Sequence, residues 1–103
     1  MASRKALVID DSRAIRHSIR LILESLGVEV EEAEDGHVGL YACRRGAPDL
    51  VLLDVDMPVM DGLTFLKHFR KEPRFADVIV IMCTTQSSIE SITTALDCGA
   101  NEY

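Results

Sequence analysis

Runs of consecutive apolar residues, too short to cross a membrane and too unbroken to lie half in water, limit what this chain can fold into. KALVID (Lys5 to Asp10), DLVLLD (Asp49 to Asp54) and VIVIMC (Val78 to Cys83) are such runs. A strand with one wet face alternates apolar and polar residues, whereas a strand that does not alternate is buried on both faces. After each run the pattern changes to helical spacing. Ile15, Ile19, Ile22, Leu23 and Leu26 share one helical face after the first, and Leu63, Leu66 and Phe69 give a short helix after the second. SSIESITTALDCG follows the last, with a Ser87–Glu90 capping box and Gly99 as its stop. Between them, VEVEEA (Val28 to Ala33) alternates at first, as an edge strand does, and leads into a weaker helical segment over Gly36 to Arg45 that carries Leu40, Ala42 and Cys43. Ser12 or Asp11 can cap the first helix, and Gly27 stands where a helix-ending glycine belongs. This alternation predicts an α/β fold, a parallel sheet covered by helices on both faces and doubly wound through right-handed crossovers. Such sheets bind ligands at the carboxyl ends of their strands, where strand order reverses.

The residues at those ends are acidic. Asp10 and Asp11 close the first run and Asp54 closes DLVLLD; Asp56 follows two residues on, before Pro58 and Gly62 break regular structure. Any one of these acids would be ordinary as a helix or turn cap. If the first and third strands are neighbours they lie about 4.8 Å apart, and two carboxylates about 4–5 Å apart repel by roughly 3–4 kcal/mol at an effective dielectric near 20. Three together call for a cation or a proton. A hard divalent ion with oxygen ligands fits best, and Mg²⁺, which keeps several waters, suits a site with so few protein ligands. A phosphoryl group can fill a remaining coordination position, with Asp54 as its acceptor by in-line carboxylate attack. Thr84 places a hydroxyl on the same rim, although a strand-end threonine is ordinary by itself.

Composition narrows the functions. The chain has 103 residues, one domain or part of one, and its net charge of −6 argues against non-specific binding to nucleic acid or an anionic membrane. Arg13, Arg16 and Arg20 fall at helical spacing but are too few to make a basic stripe. Cys43, Cys83 and Cys98 form no disulfide framework or zinc pattern, so reduced thiols of a cytoplasmic protein are expected. The N-terminal apolar run is too short for a signal peptide, and no segment has the length of a membrane span. His17, His37 and His68 are scattered and read as surface residues, while Met57 and Met60 read as packing. With few aromatics, a mostly aliphatic core is expected.

VIDDS, LLDVDMPVMDG and IMCTT, in this order and on these elements, resemble the receiver domain of two-component response regulators, and the resemblance runs the length of the chain. The likeness is to single-domain chemotaxis-type regulators and to the receiver halves of larger ones. It implies a flavodoxin-like sheet of strand order 2-1-3-4(-5), with Asp54 as phospho-acceptor and Asp11 and Asp54 as carboxylate ligands of Mg²⁺. Asp10 would assist through a water or hydrogen bonds, and Asp56 would contribute its backbone carbonyl. Pro58 and Gly62 would shape the loop beyond the acceptor, Thr84 would hydrogen-bond a phosphoryl oxygen, and Tyr103 falls where the family keeps an aromatic that turns inward on activation. The implied partners are a histidine kinase or histidine phosphotransfer protein, and a downstream target or fused output domain. The chemistry would be confined to the domain's own phosphorylation and dephosphorylation, so it is not an enzyme in the usual sense.

The family pattern continues for one further strand and helix, so residues 1–103 are expected to be a receiver domain truncated before its last strand–helix unit. That strand carries the family's active-site lysine, and none of Lys5, Lys67 and Lys71 stands in its place. The fourth strand would then be an open edge, and a destabilised or oligomeric protein is expected, by homodimerisation or exchange of elements across that edge. Two other functions compete. A pseudo-receiver would be an interaction module that never takes phosphate, favoured by the missing lysine and opposed by intact Asp10, Asp11, Asp54 and Thr84. A phosphatase of the haloacid-dehalogenase type shares the Asp-x-Asp pair of Asp54 and Asp56, but that family places the pair after the first strand of a larger chain.

Overall fold

The computed structural model describes residues 4–54, 62–82 and 99–101. Its elements are β1 (Lys5–Ile9), α1 (Arg13–Ser25), β2 (Glu29–Ala33), α2 (Gly36–Arg45), β3 (Leu50–Leu53), α3 (Gly62–Arg70), a 3₁₀ turn (Pro73–Phe75) and β4 (Ile79–Met82). The four strands are parallel and lie in the order β2-β1-β3-β4, so strand order reverses between β1 and β3 and β2 is an edge, as its alternation predicts. This is the predicted doubly wound, flavodoxin-like arrangement. The helix expected after β4 lies outside the described residues, as do Asp56, Met57, Pro58, Met60, Cys83, Thr84, Ser87, Glu90, Cys98 and Tyr103. Gly62, expected within a loop, is instead the buried first residue of α3.

One face of the sheet carries the core. Leu7, Val51 and Val80 stand in register across β1, β3 and β4, as do Ile9, Leu53 and Met82. They pack with Leu40 and Cys43 of α2 and with Phe65, Leu66 and Phe69 of α3. The few aromatics are concentrated here: Phe65 stacks on Phe69 at 5.3 Å between ring centroids, and Phe69 on Phe75 at 4.5 Å. The core is therefore aliphatic along the strands and aromatic beneath α3. Burial pushes the Cys43 thiol up to about 12, so it behaves as a small core residue.

The other face is covered differently. α1 is capped by Ser12, whose Oγ accepts from the Ile15 N–H at 3.3 Å, and it ends before Gly27, whose φ of 81° lies in the left-handed region. Its apolar stripe is only partly used. Ile19 and Leu23 are half-buried, whereas Ile15, Ile22 and Leu26 are 47%, 62% and 72% exposed. α1 sits over β1 and β2, held to β2 by two arginines on Glu32. On the same face, Leu50, Leu52 and Ile81 are half-buried and Ile79 is exposed. The spacing of the stripe is helical as read, but spacing alone does not say how much of a stripe a neighbour covers.

Gly39 explains how α2 lies so close to β1. A glycine inside a helix costs about 0.5–1 kcal/mol relative to alanine, yet a Cβ here would meet Cδ1 of Ile9 at 2.5 Å and Cγ1 at 3.0 Å. Ile9 is fully buried and directly precedes Asp10. Gly39→Ala is expected to destabilise the domain by about 1–2 kcal/mol, overpacking outweighing the gain in helix propensity. Ile9→Val, which removes Cδ1, should recover part of that loss when combined with it. Urea denaturation of the two single variants and the double variant measures this, and a more stable Gly39→Ala protein would mean that α2 does not rest on Ile9.

Candidate functional site

The backbone ladder of the sheet continues one residue past the strands and fixes the acids. The Asp54 N–H donates to the Ile9 carbonyl at 2.9 Å, and the Asp10 N–H donates to the Ala33 carbonyl at 3.1 Å. Asp10 and Asp54 are thereby held side by side at the carboxyl ends of β1 and β3, with Asp11 next in the chain. One carboxylate oxygen from each of the three lies within 4.8 Å of the others. Asp10 is buried at 5% exposure, Asp54 is half-buried and Asp11 is exposed. The cluster expected from the strand ends is present. Of the remaining expected site residues, Asp56, Pro58, Thr84 and Tyr103 lie outside the described residues.

Burial pushes the Asp10 carboxyl above its ordinary value, since a buried charge loses its water. The Ser12 N–H, which donates to Oδ1 at 2.8 Å, acts in the opposite direction. The neighbouring Asp11 adds to the rise, and Arg16 opposes it. The donor set is all carboxylate oxygen, which selects a hard cation over a soft one. An octahedral ion with bonds of about 2.1 Å keeps its ligand oxygens roughly 3–4 Å apart, which three oxygens all within 4.8 Å of one another can reach with small side-chain movements. The residues present fit Mg²⁺.

Around the cluster is a set of contacts that the sequence reading did not identify. Arg16 donates from Nη1 to the Asp10 carbonyl at 2.6 Å and from Nε to Glu32 Oε1 at 3.1 Å. Arg20 donates from Nε to Glu32 Oε2 at 2.6 Å. Partial burial works against the Glu32 charge, yet the Arg20 and Arg16 hydrogen bonds hold its carboxyl below the ordinary value. The available signal was the four-residue spacing of Arg16 and Arg20, two cations on one helical face opposite an acid two residues beyond Val30. His37 and His68 are exposed, as expected, but share a groove of about 260 Å³ between α2 and α3 with Leu40, Tyr41 and Arg44.

Because the folded-state value of Asp10 lies above the unfolded one, the carboxyl contributes stability while protonated and loses it as pH rises through the folded value. Asp10→Asn should therefore stabilise the metal-free domain at neutral pH, and its advantage over the unmodified protein should shrink as pH falls below that value. Thermal melts in EDTA across about pH 4–7 test this. An advantage that grows on acidification would contradict it.

Residues 6–103 match the family model of the response regulator receiver domain. The chain is 35% identical over 99 residues to the DNA-binding dual master transcriptional regulator RpaA of Synechocystis, covering 96% of this chain and 41% of that protein. It is 39% identical over 103 residues to the probable transcriptional regulator ycf27 of Porphyridium aerugineum, covering 100% of this chain and 42% of that protein. The chain thus spans about two fifths of the length of these curated relatives. The fold superposes on the chemotaxis protein CheY4 of Vibrio cholerae with a TM-score of 0.94 at 35% identity, covering 98% of this chain and 84% of that one. A matching family model, relatives over nearly the whole chain and an acid cluster at the switch point of a 2-1-3-4 sheet agree: the chain belongs to the receiver domains of two-component response regulators.

Proposed function

We propose that this domain is a phosphorylation-activated switch in which Asp54 accepts a phosphoryl group, in a Mg²⁺-dependent transfer, from the phosphohistidine of a kinase or phosphotransfer protein. The observation that carries this reading is the convergence of Asp10, Asp11 and Asp54 at the carboxyl ends of β1 and β3. Asp11 and Asp54 would hold the ion, with Asp10 assisting through a water or hydrogen bonds, and the ion when bound would offset the charge of the carboxylates and of the incoming phosphoryl oxygens. A carboxylate oxygen of Asp54 would attack phosphorus in line; the O–P bond forms as the donor's N–P bond breaks, and the imidazole leaves neutral, keeping the proton already on its other ring nitrogen. Water later attacks the same phosphorus and returns the carboxylate and inorganic phosphate.

The family pattern supplies the remaining roles. Asp56 would give its backbone carbonyl to the ion, Pro58 would shape the segment beyond the acceptor, which Gly62 would end as the first residue of α3, and Thr84 would hydrogen-bond the phosphoryl group. Thr84 would then close on the phosphoryl group and Tyr103 would turn inward, shifting the domain between two conformations. A target protein, or an output domain such as the longer regulators carry, would read the change. Residues 1–103 would act as the receiver portion, catalysing only its own phosphorylation and dephosphorylation.

Incubation with acetyl phosphate and Mg²⁺, followed by intact-mass measurement, tests the reading directly. The unmodified protein should gain one phosphoryl group; Asp54→Asn, or EDTA in place of Mg²⁺, should abolish the gain. A folded protein that gains nothing would favour the pseudo-receiver, an interaction module that does not take phosphate.

A further inference from the structure

The geometry points to Arg16 as a positioning residue for the acid cluster, an inference that rests on the Mg²⁺ reading above. One guanidinium makes two different attachments. Nη1 donates to the backbone carbonyl of Asp10 at 2.6 Å, the short distance of a charge-assisted hydrogen bond, while Nε donates to Glu32 on β2 at 3.1 Å. The Asp10 carbonyl belongs to the peptide plane that joins Asp10 to Asp11. Holding that plane sets the direction in which both side chains leave the backbone. The far anchor, Glu32, is part of the sheet and is gripped a second time by Arg20 at 2.6 Å. The link therefore runs from the edge strand through one planar fork to the two acids at the end of β1.

A simpler reading makes Arg16 one more ion pair fastening α1 to the sheet. Such partly exposed pairs stabilise by about 1 kcal/mol or less and have no reason to affect ion binding. Arg20 separates the two readings. It has the same charge, lies on the same helix and binds the same Glu32, but its other ion pair is to Glu24 rather than to the Asp10 backbone. Electrostatics sharpens the distinction, because removing a cation beside a Mg²⁺ site should by itself tighten ion binding. Weaker binding after loss of Arg16 would run against that effect and would report lost geometry. Lysine cannot reproduce the fork, since its single ammonium lacks the planar pair of donors that engages a carbonyl and a carboxylate together.

The test is Mg²⁺ titration calorimetry on the whole chain, with a thermal melt of each variant. Arg16→Gln is expected to weaken Mg²⁺ binding on the order of tenfold, as loss of outer contacts to metal ligands commonly does. Arg16→Lys should recover only part of the affinity. Arg20→Gln should lower the melting temperature and change Mg²⁺ binding far less than Arg16→Gln does. Unchanged or tighter binding by a folded Arg16→Gln protein overturns the inference, and so does equal weakening by Arg20→Gln. Should the unmodified protein bind no Mg²⁺, the functional reading itself fails and takes this inference with it.

Discussion

Parallel pairing of β1 with β3 places Asp54 beside Asp10 through a backbone hydrogen bond, Asp54 N–H to Ile9 carbonyl, that neither acid can escape without breaking the ladder. In a parallel sheet all carboxyl ends point the same way, so residues that end neighbouring strands must share one rim. Here the residues are carboxylates, and one of them is buried. The other features of the site answer that repulsion. The Ser12 N–H turns back onto Asp10, Arg16 places a positive charge against its carbonyl, and the oxygen-lined space suits a hard divalent cation.

The two faces of the sheet serve this rim in different ways. The face toward α2 and α3 is a continuous apolar core, closed by three stacked phenylalanines and by the contact that Gly39 allows over Ile9. It supplies a rigid floor, since close-packed interiors resist displacement of their parts. The face toward α1 relies on a charged bridge, in which Glu32 accepts from two arginines and one of these reaches the site. Packing thus fixes where the strands end, and polar contacts fix how the acids point once they have ended.

What could be read from the sequence was what is carried locally. The unbroken apolar run at KALVID marks a strand buried on both faces, whereas DLVLLD forms a strand buried on one face and half-buried on the other, and an aspartate after each marks the rim; these signals need only a few adjacent residues. Gly27 and Ser12 were legible for the same reason. The 3₁₀ turn at Pro73–Phe75 was not, because a single short turn has no period to detect. The Arg16–Asp10 contact was not legible either. It depends on how α1 is rotated over the sheet, which spacing along one helix does not determine. The exposed part of the α1 stripe shows the same limit: Ile19 and Ile22 satisfy the same helical pattern, but only Ile19 is half-buried.

The register also has a consequence in time. Ala6 of β1 pairs with Glu29's neighbour Val30 on one side and with Leu50, 44 positions along the chain, on the other. Asp10 and Asp11 are together in any conformation, but Asp54 joins them only when this longer closure is made. Closures of that range cost chain entropy before their contacts form, and they slow folding. The charge repulsion therefore falls on the step that is already entropically dear. A divalent cation present during folding would relieve it there, and so would hasten assembly of the very pocket proposed to hold it.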